Sequence, residues 1–434
     1  MHFRVYAALS AAMFAACIGL QIGKGTFGQS PKDRYREYII QGQRLLVHGT
    51  LVSPLVADDS AATPSTLMPP LYGLLVAGIY RTLGLETMAA TALLQCVNSL
   101  AAAATVCLAA ATVRRIASRR AAFAASLLLL VNPTLIGFTE YIWDTSLFTL
   151  GVTLCTWWAV GRDAGPYTVR AFFFYGILLG GLALLNPALT LAYPILVLWM
   201  HGRCDARRGP SRFASAAAAT IGWAVAIAPW TIRNYAHFKE WTYIRNGLLH
   251  EVWMGVCPEA DAPGASNFQA NFPLNNRVSR ERVGRIGESA YLDECGRKAI
   301  QAISEGPARY ARLVVLRLVD YWFGTVFTHP ENPRGWRPAS TGRAIVMVFL
   351  LAETAAGIAG LLMRRSALRD VYWLGAILFI FSMVYAFTHV QVRFRAPIEP
   401  LVALFIAAVW FARRSAAGST IPPAIDHTNW AAHD

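Results

Sequence analysis

Residues 88–120 read MAATALLQCVNSLAAAATVCLAAATVRRIASRR, an apolar run without a charged residue that is followed by four arginines. An α-helix rises about 1.5 Å per residue, so residues 88–112 are long enough to cross a hydrocarbon core of about 30 Å. Arginines that follow a membrane span usually lie on its cytoplasmic side. This stretch therefore predicts a transmembrane helix and also its orientation.

The composition extends this prediction to the whole chain. Of 434 residues, 55% are hydrophobic and only 15% are charged, whereas soluble domains carry about 25% charged residues. Apolar runs recur, and together with an N-terminal one they predict about ten spans. Beyond the first, the spans fall near residues 88–112, 120–138, 144–161, 169–186, 188–201, 213–231, 342–363, 370–388 and 397–412. The predicted fold class is an all-α polytopic membrane protein.

Arginine clusters in alternate connections give the orientation of these spans. The net charge of +14 would suggest a nucleic-acid partner in a soluble protein, but here arginines in the connections account for most of it. They are Arg114, Arg115, Arg119, Arg120, Arg162, Arg170, Arg203, Arg207, Arg208, Arg212, Arg364, Arg365, Arg369, Arg413 and Arg414. The positive-inside rule predicts that both termini are cytoplasmic in a bacterial inner membrane. The outer face then holds a first loop (24–87), a large loop (232–341) and short turns at 133–143 and 389–396.

Three apolar stretches need separate arguments. Residues 1–23 have a basic start and an apolar run, which we interpret as a retained first span, with a cleaved signal peptide as the alternative. Residues 71–83 are too short to span. Residues 310–327 are long enough, but counting them as a span would move the last arginine clusters outside.

The last of these stretches therefore favours a helix that lies on the outer leaflet, with a true span as the alternative. Its arginines would then reach lipid phosphates: Arg309, Arg312 and Arg317. The first outer loop is also expected to contain helices near the membrane surface. The predicted organisation is one transmembrane domain (1–414) followed by a disordered cytoplasmic tail (415–434).

Cysteine usage and known motifs say little about cofactors. Cys257 and Cys295 are the two cysteines of the large outer loop, where an oxidising compartment would let them pair, but their spacing does not decide it. The chain has no metal-binding motif, no phosphate-binding loop and no dinucleotide fingerprint. No cofactor is expected, although a requirement for a divalent metal stays open.

The first outer loop carries a candidate catalytic carboxylate in residues 30–49, SPKDRYREYIIQGQRLLVHG. Ser30 as N-cap, an acid at the third helical position and Gly49 as the stop predict a short helix. Asp33 is either a helix cap or a base aimed at an acceptor hydroxyl, which the helix N-terminus would keep ionised. Glu37 follows one helical turn later.

The second outer turn reads NPTLIGFTEYIWDTSLF over residues 132–148. Glu140 and Asp144 are four apart and could share one face of a helix. Asp144 directly precedes a predicted span, so it either caps that helix or faces protein and water as a site residue.

The last outer turn, HVQVRFRAP at residues 389–397, carries two arginines on the side that the topology rule depletes of positive charge. Arg393 and Arg395 lie beside the first turn of the final span, near Pro397. Arginines at a helix N-terminus form an anion site, and phosphate is the natural ligand at a membrane surface. The alternative is that both side chains reach lipid head groups.

Six short motifs together indicate a known family. In chain order they are DRYREYIIQGQRLLVHG, PPLYGLLVAGIYRTLG, TEYIWDTSLF, GLALLNPALTLAYP, PWTIRNYAHF and RFRAPIEPLVALF. In their order and topology they resemble the polytopic lipid-dependent glycosyltransferases of the GT-C fold, in particular glycosyltransferase family 39 and the bacterial aminoarabinose transferases. The resemblance extends over the chain up to about residue 414.

The resemblance implies transfer of a sugar from a polyprenyl-phosphate donor to a glycan, lipid or protein acceptor at the outer, periplasmic face. The transfer would invert the anomeric centre and would need no metal in principle. Asp33 matches the family's catalytic base, Asp144 matches a second outer acidic position, and Arg393 and Arg395 match arginines near the donor phosphate. Further candidates for substrate binding are Glu37, Glu140, Tyr72, Arg233 and Asn234.

The alternative function is a transporter or flippase for lipid-linked sugars. Transporters usually place ionisable groups near the membrane midplane, between two similar halves. Here the polar candidates gather on one face and no internal repeat is visible, which favours an enzyme.

Overall fold

The computed structural model describes residues 2–29, 36–55, 64–161, 167–204, 209–260, 271–324, 341–364 and 368–411. Within these ranges every regular element is a helix, apart from one isolated bridge between Val52 and Pro64. The all-α architecture is therefore confirmed. The predicted tail (415–434) lies outside the described residues.

The helices are named here in chain order. They are α1 (His2–Gly23), α2 (Glu37–His48), α3 (Pro70–Leu83), α4 (Met88–Ile116), α5 (Arg119–Leu130), α6 (Pro133–Gly137), α7 (Thr145–Val160), α8 (Val169–Leu185), α9 (Tyr193–Gly202), α10 (Arg212–Phe238), α11 (Leu248–Val256), α12 (Arg277–Ile286), α13 (Glu288–Glu305), α14 (Pro307–Phe323), α15 (Thr341–Met363), α16 (Leu368–Phe387) and α17 (Glu399–Phe411). Short 3-10 segments lie at Phe138–Glu140, Pro187–Ala192, Val392–Phe394 and Ala396–Ile398.

Five stretches of the described chain are long and apolar enough to cross a membrane. They lie in α1, α4, α10 and α15 and in the stretch Val392–Phe411, which contains α17. α5 and the segment after it would make a sixth span, bent by 47° at the break between them. Four shorter apolar helices coincide with further predicted spans: Thr145–Val160, Val169–Leu185, Pro187–Gly202 and Val371–Phe387. The chain is thus a multi-pass membrane protein, while the count of about ten spans stays a prediction.

Glycines bring α8 and α10 into backbone contact. A Cβ atom on Gly176 of α8 would lie 2.0 Å from the Ala219 carbonyl oxygen, and one on Gly222 of α10 would lie 2.0 Å from the Phe173 carbonyl oxygen. Lipid tails are as apolar as the helices, so helices in a membrane associate largely through such close packing. These small residues therefore determine how closely the two helices approach.

This contact predicts a clear stability effect. Gly176→Ala should lower the free energy of unfolding by about 1–3 kcal/mol, because the methyl group cannot fit without separating the helices. Gly181 lies on the same helix with open space around it, so Gly181→Ala should leave the melting temperature unchanged or slightly higher. Thermal unfolding of both variants in detergent would test this; equal melting temperatures would contradict it.

The second outer turn is broken rather than continuously helical. α5 ends at Leu130, and the Asn132 side chain then accepts hydrogen bonds from the N–H groups of Thr134 and Leu135 (3.0 and 3.1 Å), which starts α6. Glu140 ends the 3-10 segment, and Asp144 follows a non-helical bend. The expectation that these two acids share a helix face is therefore wrong.

The large outer loop does not form one continuous helix over residues 277–305. The chain forms α12 and α13 instead, separated at Gly287, whose φ of 81° lies in the left-handed region that favours glycine. Cys257 and Cys295 are both buried free thiols. The two cysteines therefore do not form a disulfide.

Arginines of α14 bind protein carbonyls. Arg309 donates to the carbonyl oxygens of Val256 and Cys257 (2.8 and 3.0 Å). Arg317 is fully buried and donates to the carbonyl oxygens of Gly255 and of Ala386, the latter at 3.5 Å. These carbonyls belong to the ends of α11 and α16, where a cation is favourable. The expectation that these two arginines reach lipid phosphates is wrong, although α14 is not among the helices that are long and apolar enough to span.

Contacts at the two ends of α7 show where the polar residues gather. Asp144 directly precedes α7 and accepts a hydrogen bond from Asn186, which follows α8 (2.8 Å). At the other end, Arg115 donates to the carbonyl oxygen of Trp157 (2.8 Å). The arginines at the end of α4 and the Asp144 region therefore lie at opposite ends of α7.

Candidate functional site

Asp144 is the centre of a buried polar cluster. Asp144 occupies the N-cap position of α7, but its side chain is 2% exposed and makes no capping hydrogen bond. Its Oδ2 atom instead accepts from Asn186 Nδ2 (2.8 Å) and from the Tyr38 hydroxyl (3.3 Å). Both donors come from elements distant in sequence. Asp144 is thus held in place by tertiary contacts, as a functional carboxylate would be.

Burial raises the pKa of Asp144 to about 6. The hydrogen bond from Asn186, the charge of Arg393, the hydrogen bond from Tyr38 and the charge of Arg245 each act in the opposite direction and limit this rise. A carboxylate with a pKa near the working pH can accept a proton and release it again.

Arg393 lies in the same cluster. Its guanidinium carbon is 4.4 Å from the ring centroid of Trp143, the residue before Asp144, and 5.1 Å from that of Phe394. Cations over aromatic faces are attracted to them and held in orientation. The structure therefore places Asp144 and Arg393 in one cluster.

α2 adds a second acid and part of an aromatic wall. The rings of Tyr72 and Trp143 each lie 5.0 Å from the Tyr38 ring. Burial raises the pKa of Glu37, and the charge of Arg393 opposes that rise. The Glu37 Oε2 atom is buried and makes no hydrogen bond within the described part of the chain. Since a buried carboxylate oxygen normally has a donor, this atom is suited to accept a hydrogen bond from a ligand.

The structure describes only part of the stretch, residues 30–49, that the sequence predicts to contain a helix. α2 begins at Glu37, after Arg36, and ends at Gly49 with a φ of 68°, so the predicted stop is confirmed. Asp33 itself lies outside the described residues, as do Ser30 and the residues between them. Its proposed role as a base stays a prediction.

Sequence reasoning missed a second ionic group in the cluster. Arg245 Nη2 lies 2.6 Å from Glu251 Oε1, and His389 Nδ1 lies 3.4 Å from Glu251 Oε2. Burial alone would raise the pKa of Glu251, but the charges of Arg245, His389 and His250 together lower it to about 2. These residues come from the large loop and the last outer turn, and no local pattern links them.

Arg395 does not join Arg393. The side chain is 1% exposed, and its guanidinium contacts Glu353 (3.2 Å) and Glu399 (2.8 Å). It also donates to the Trp322 carbonyl oxygen (2.9 Å). The two predicted phosphate arginines therefore point to different surroundings. Arg395 fastens the last outer turn to α15 and α17, and only Arg393 lies with Asp144.

Glu140, Arg233 and Asn234 make structural contacts outside the cluster. Glu140 forms an ion pair with Lys24 (3.1 Å). Arg233 donates to the carbonyl oxygens of Ser65 (2.9 Å) and Leu51 (3.1 Å), which ties the first outer loop to the end of α10. Asn234 is buried and donates to the Thr242 carbonyl oxygen (2.9 Å).

Tyr72 belongs to the wall of the cluster through its contact with Tyr38. Asn98 Nδ2 donates to the Tyr72 hydroxyl (3.1 Å) and to the Tyr141 carbonyl oxygen (2.8 Å). This asparagine of α4 therefore fixes both the aromatic wall and the turn that leads to Asp144.

As for a metal, no three His, Cys, Asp or Glu side chains in the described ranges are placed to hold an ion.

Comparison with solved structures identifies the fold. The archaeal oligosaccharyltransferase AglB from Archaeoglobus fulgidus, in complex with an inhibitory peptide and a dolichol-phosphate, superposes with a TM-score of 0.56 at 13% identity over 94% of this chain. This chain has the GT-C fold. The apo oligosaccharyltransferase from the same organism gives a TM-score of 0.55, also at 13% identity over 94% of this chain. The GT-C chain spans about half the length of these two proteins, since 50% of each is covered.

A further match is ArnT from Cupriavidus metallidurans bound to undecaprenyl phosphate, with a TM-score of 0.39, 12% identity and coverage of 94% of this chain and 77% of that one. No family model and no curated protein matches this sequence.

Proposed function

We propose that this protein is a membrane glycosyltransferase that moves a sugar from a polyprenyl-phosphate donor to an acceptor hydroxyl. The observation that carries the proposal is the juxtaposition of Asp144 and Arg393 at one end of a GT-C bundle. The AglB structure with the same fold contains a dolichol-phosphate. A lipid phosphate as donor agrees with an arginine at this position.

The chemistry needs a base and a cation. A carboxylate takes the proton of the acceptor hydroxyl, the oxygen forms a bond to the anomeric carbon, and the bond between that carbon and the phosphate oxygen breaks. The lipid phosphate leaves with the bonding electrons, and attack from the opposite side inverts the anomeric centre. Arg393 would stabilise the negative charge that grows on the leaving phosphate. Asp33 and Asp144 are the two candidates for this carboxylate.

The site would lie on the periplasmic side of a bacterial inner membrane, with both termini in the cytoplasm. The arginine cluster at the far end of α7, where Arg115 contacts Trp157, supports this orientation. The acceptor would be a glycan, lipid or protein that reaches the outer leaflet.

Transfer of labelled sugar from polyprenyl phosphate would test the proposal. Purified wild-type protein should transfer the label, and Asp33→Asn should reduce the rate by roughly 100-fold or more, because an amide cannot accept the acceptor proton. Asp293, an exposed acid of α13, provides a control, since Asp293→Asn should transfer at the wild-type rate. No transfer by the wild type from any tested polyprenyl-phosphate sugar would contradict the proposal, and full activity of Asp33→Asn would exclude Asp33 as the base.

A further inference from the structure

The Arg245–Glu251 ion pair faces accessible space. The two side chains keep 25% and 26% of their surface exposed, although they lie close to other charged groups. The Arg245 Nε atom is buried and makes no hydrogen bond within the described part of the chain, so the exposed surface belongs to other atoms of the two side chains. An ion pair that is both fixed and accessible presents a donor and an acceptor side by side.

Tyr385 of α16 connects this ion pair with the Asp144 cluster. Its ring stacks on Phe394 at 4.4 Å between centroids and on Tyr321 at 6.1 Å, with interplanar angles of 14° and 12°. Phe394 also contacts His389, whose ring centroid lies 5.1 Å from that of Phe394 and whose Nδ1 atom lies 3.4 Å from Glu251 Oε2. Phe394 and His389 therefore connect Tyr385 with the ion pair, and the Arg393 guanidinium, 5.1 Å from the Phe394 ring, connects it with the Asp144 cluster.

The Tyr385 hydroxyl makes no hydrogen bond with any residue that the structure describes, and it is not among the fully buried polar atoms. The stacked rings fix its position without using the hydroxyl. A partly buried tyrosine whose hydroxyl makes no hydrogen bond, near a partly exposed arginine and carboxylate, matches a ligand that carries several neighbouring hydroxyl groups.

We propose that Arg245, Glu251 and the Tyr385 hydroxyl bind the hydroxyl groups of the transferred sugar while it is still attached to the lipid phosphate. This inference rests on the proposed function and adds the surface that recognises the sugar. Because Tyr385 stacks on the residue next to Arg393, a phosphate at Arg393 places its attached sugar beside Tyr385 and Asp144. Sugar recognition and phosphate binding are thus assigned to separate residues.

The test compares two ligands. Purified full-length wild type, Tyr385→Phe and Glu251→Gln are titrated in nanodiscs with undecaprenyl phosphate and with undecaprenyl phosphate carrying glucose, mannose or arabinose. For the sugar that the wild type binds most tightly, each variant should bind the sugar-bearing lipid about five- to tenfold more weakly, the usual effect of losing one hydrogen bond. Binding of undecaprenyl phosphate without sugar should stay within about twofold of the wild type.

Tyr321→Phe is the matched control. The Tyr321 hydroxyl donates to the Phe394 carbonyl oxygen (3.3 Å) and supports the same ring stack from its far side. This variant should keep the wild-type ratio of the two dissociation constants even if its melting temperature falls. Tyr385→Phe keeps the stacked ring, so it tests the inference even if Glu251→Gln folds poorly.

Two results would overturn the inference. One is an unchanged affinity of Tyr385→Phe for the sugar-bearing lipid, and the other is an equal loss of affinity for both lipids. If the wild type binds undecaprenyl phosphate and either result is seen, the inference fails and the proposed function stands. If the wild type binds neither lipid, the proposed function fails and this inference fails with it.

Discussion

Asp144→Asn is expected to reduce sugar transfer by roughly 100- to 1,000-fold, because the amide cannot take part in proton transfer at the acceptor. Asparagine has the same shape and can still accept hydrogen bonds from Tyr38 and Asn186. The loss should therefore appear in the rate constant rather than in folding. Transfer of labelled sugar at saturating donor would measure it.

The same substitution should raise stability at neutral pH. Burial raises the pKa of Asp144 from its ordinary 3.8 to about 6, so the folded protein binds this proton more tightly than the unfolded chain does. Above pH 6 the ionised carboxylate costs the fold on the order of 3 kcal/mol, and this cost disappears as the pH falls from 6 towards 4. Asp144→Asn removes the charge and with it this pH dependence.

Two measurements follow for the wild type and the variant. Wild-type transfer should rise with pH through about 6, because only the ionised carboxylate accepts a proton. The melting temperature of Asp144→Asn should exceed that of the wild type at pH 8 and match it near pH 4. A variant with normal activity would show that Asp144 has no catalytic role, and a variant that melts earlier at pH 8 would indicate a structural one.

Arg393→Gln is expected to weaken binding of undecaprenyl phosphate by roughly 30- to 150-fold, since a charge-assisted contact to phosphate contributes about 2–3 kcal/mol. Glutamine keeps a polar side chain but carries no charge. Titration of the lipid into purified protein would measure the loss. Arg81→Gln, on the exposed side of α3, should bind the lipid as the wild type does.

Arg395→Gln should lower the stability of the protein rather than its affinity for the lipid. Removing this guanidinium leaves Glu353 and Glu399 buried without their cation, which typically costs about 3–5 kcal/mol. The variant should therefore unfold at a lower temperature, whereas Arg393→Gln should change stability much less. If instead Arg395→Gln folds normally and loses lipid binding to the same extent as Arg393→Gln, the separation of roles drawn from the structure is wrong.

The membrane helices could be predicted because their signal is local. A helix such as α4 is recognised from its own composition, since an apolar stretch in water has no alternative to burial or insertion. Gly49 was predicted as the end of α2 for an equally local reason, the left-handed conformation that glycine adopts easily. The break at Asn132 was missed because the apolar composition continues across it.

The residues of the candidate site also differ in whether the sequence alone indicates their role. Asp144 and Arg393 could be proposed from the sequence because a carboxylate at the edge of a membrane span is costly unless it faces protein or water, and arginines are unusual on the side that the topology rule depletes of positive charge. Arg395 looked equivalent to Arg393 by that criterion, and only the tertiary structure shows it between Glu353 and Glu399. The sequence holds no sign of that pairing, because both partners come from other helices.

By itself, the sequence determined that the chain is a helical multi-pass protein and which residues are available at one face. The tertiary structure alone decided which of them meet. Asn186, Glu251 and Tyr385 reach the Asp144 cluster from three elements far apart in the chain. Side-chain contacts of this kind depend on how helices pack, and packing depends on pairs of surfaces that no single stretch of sequence specifies.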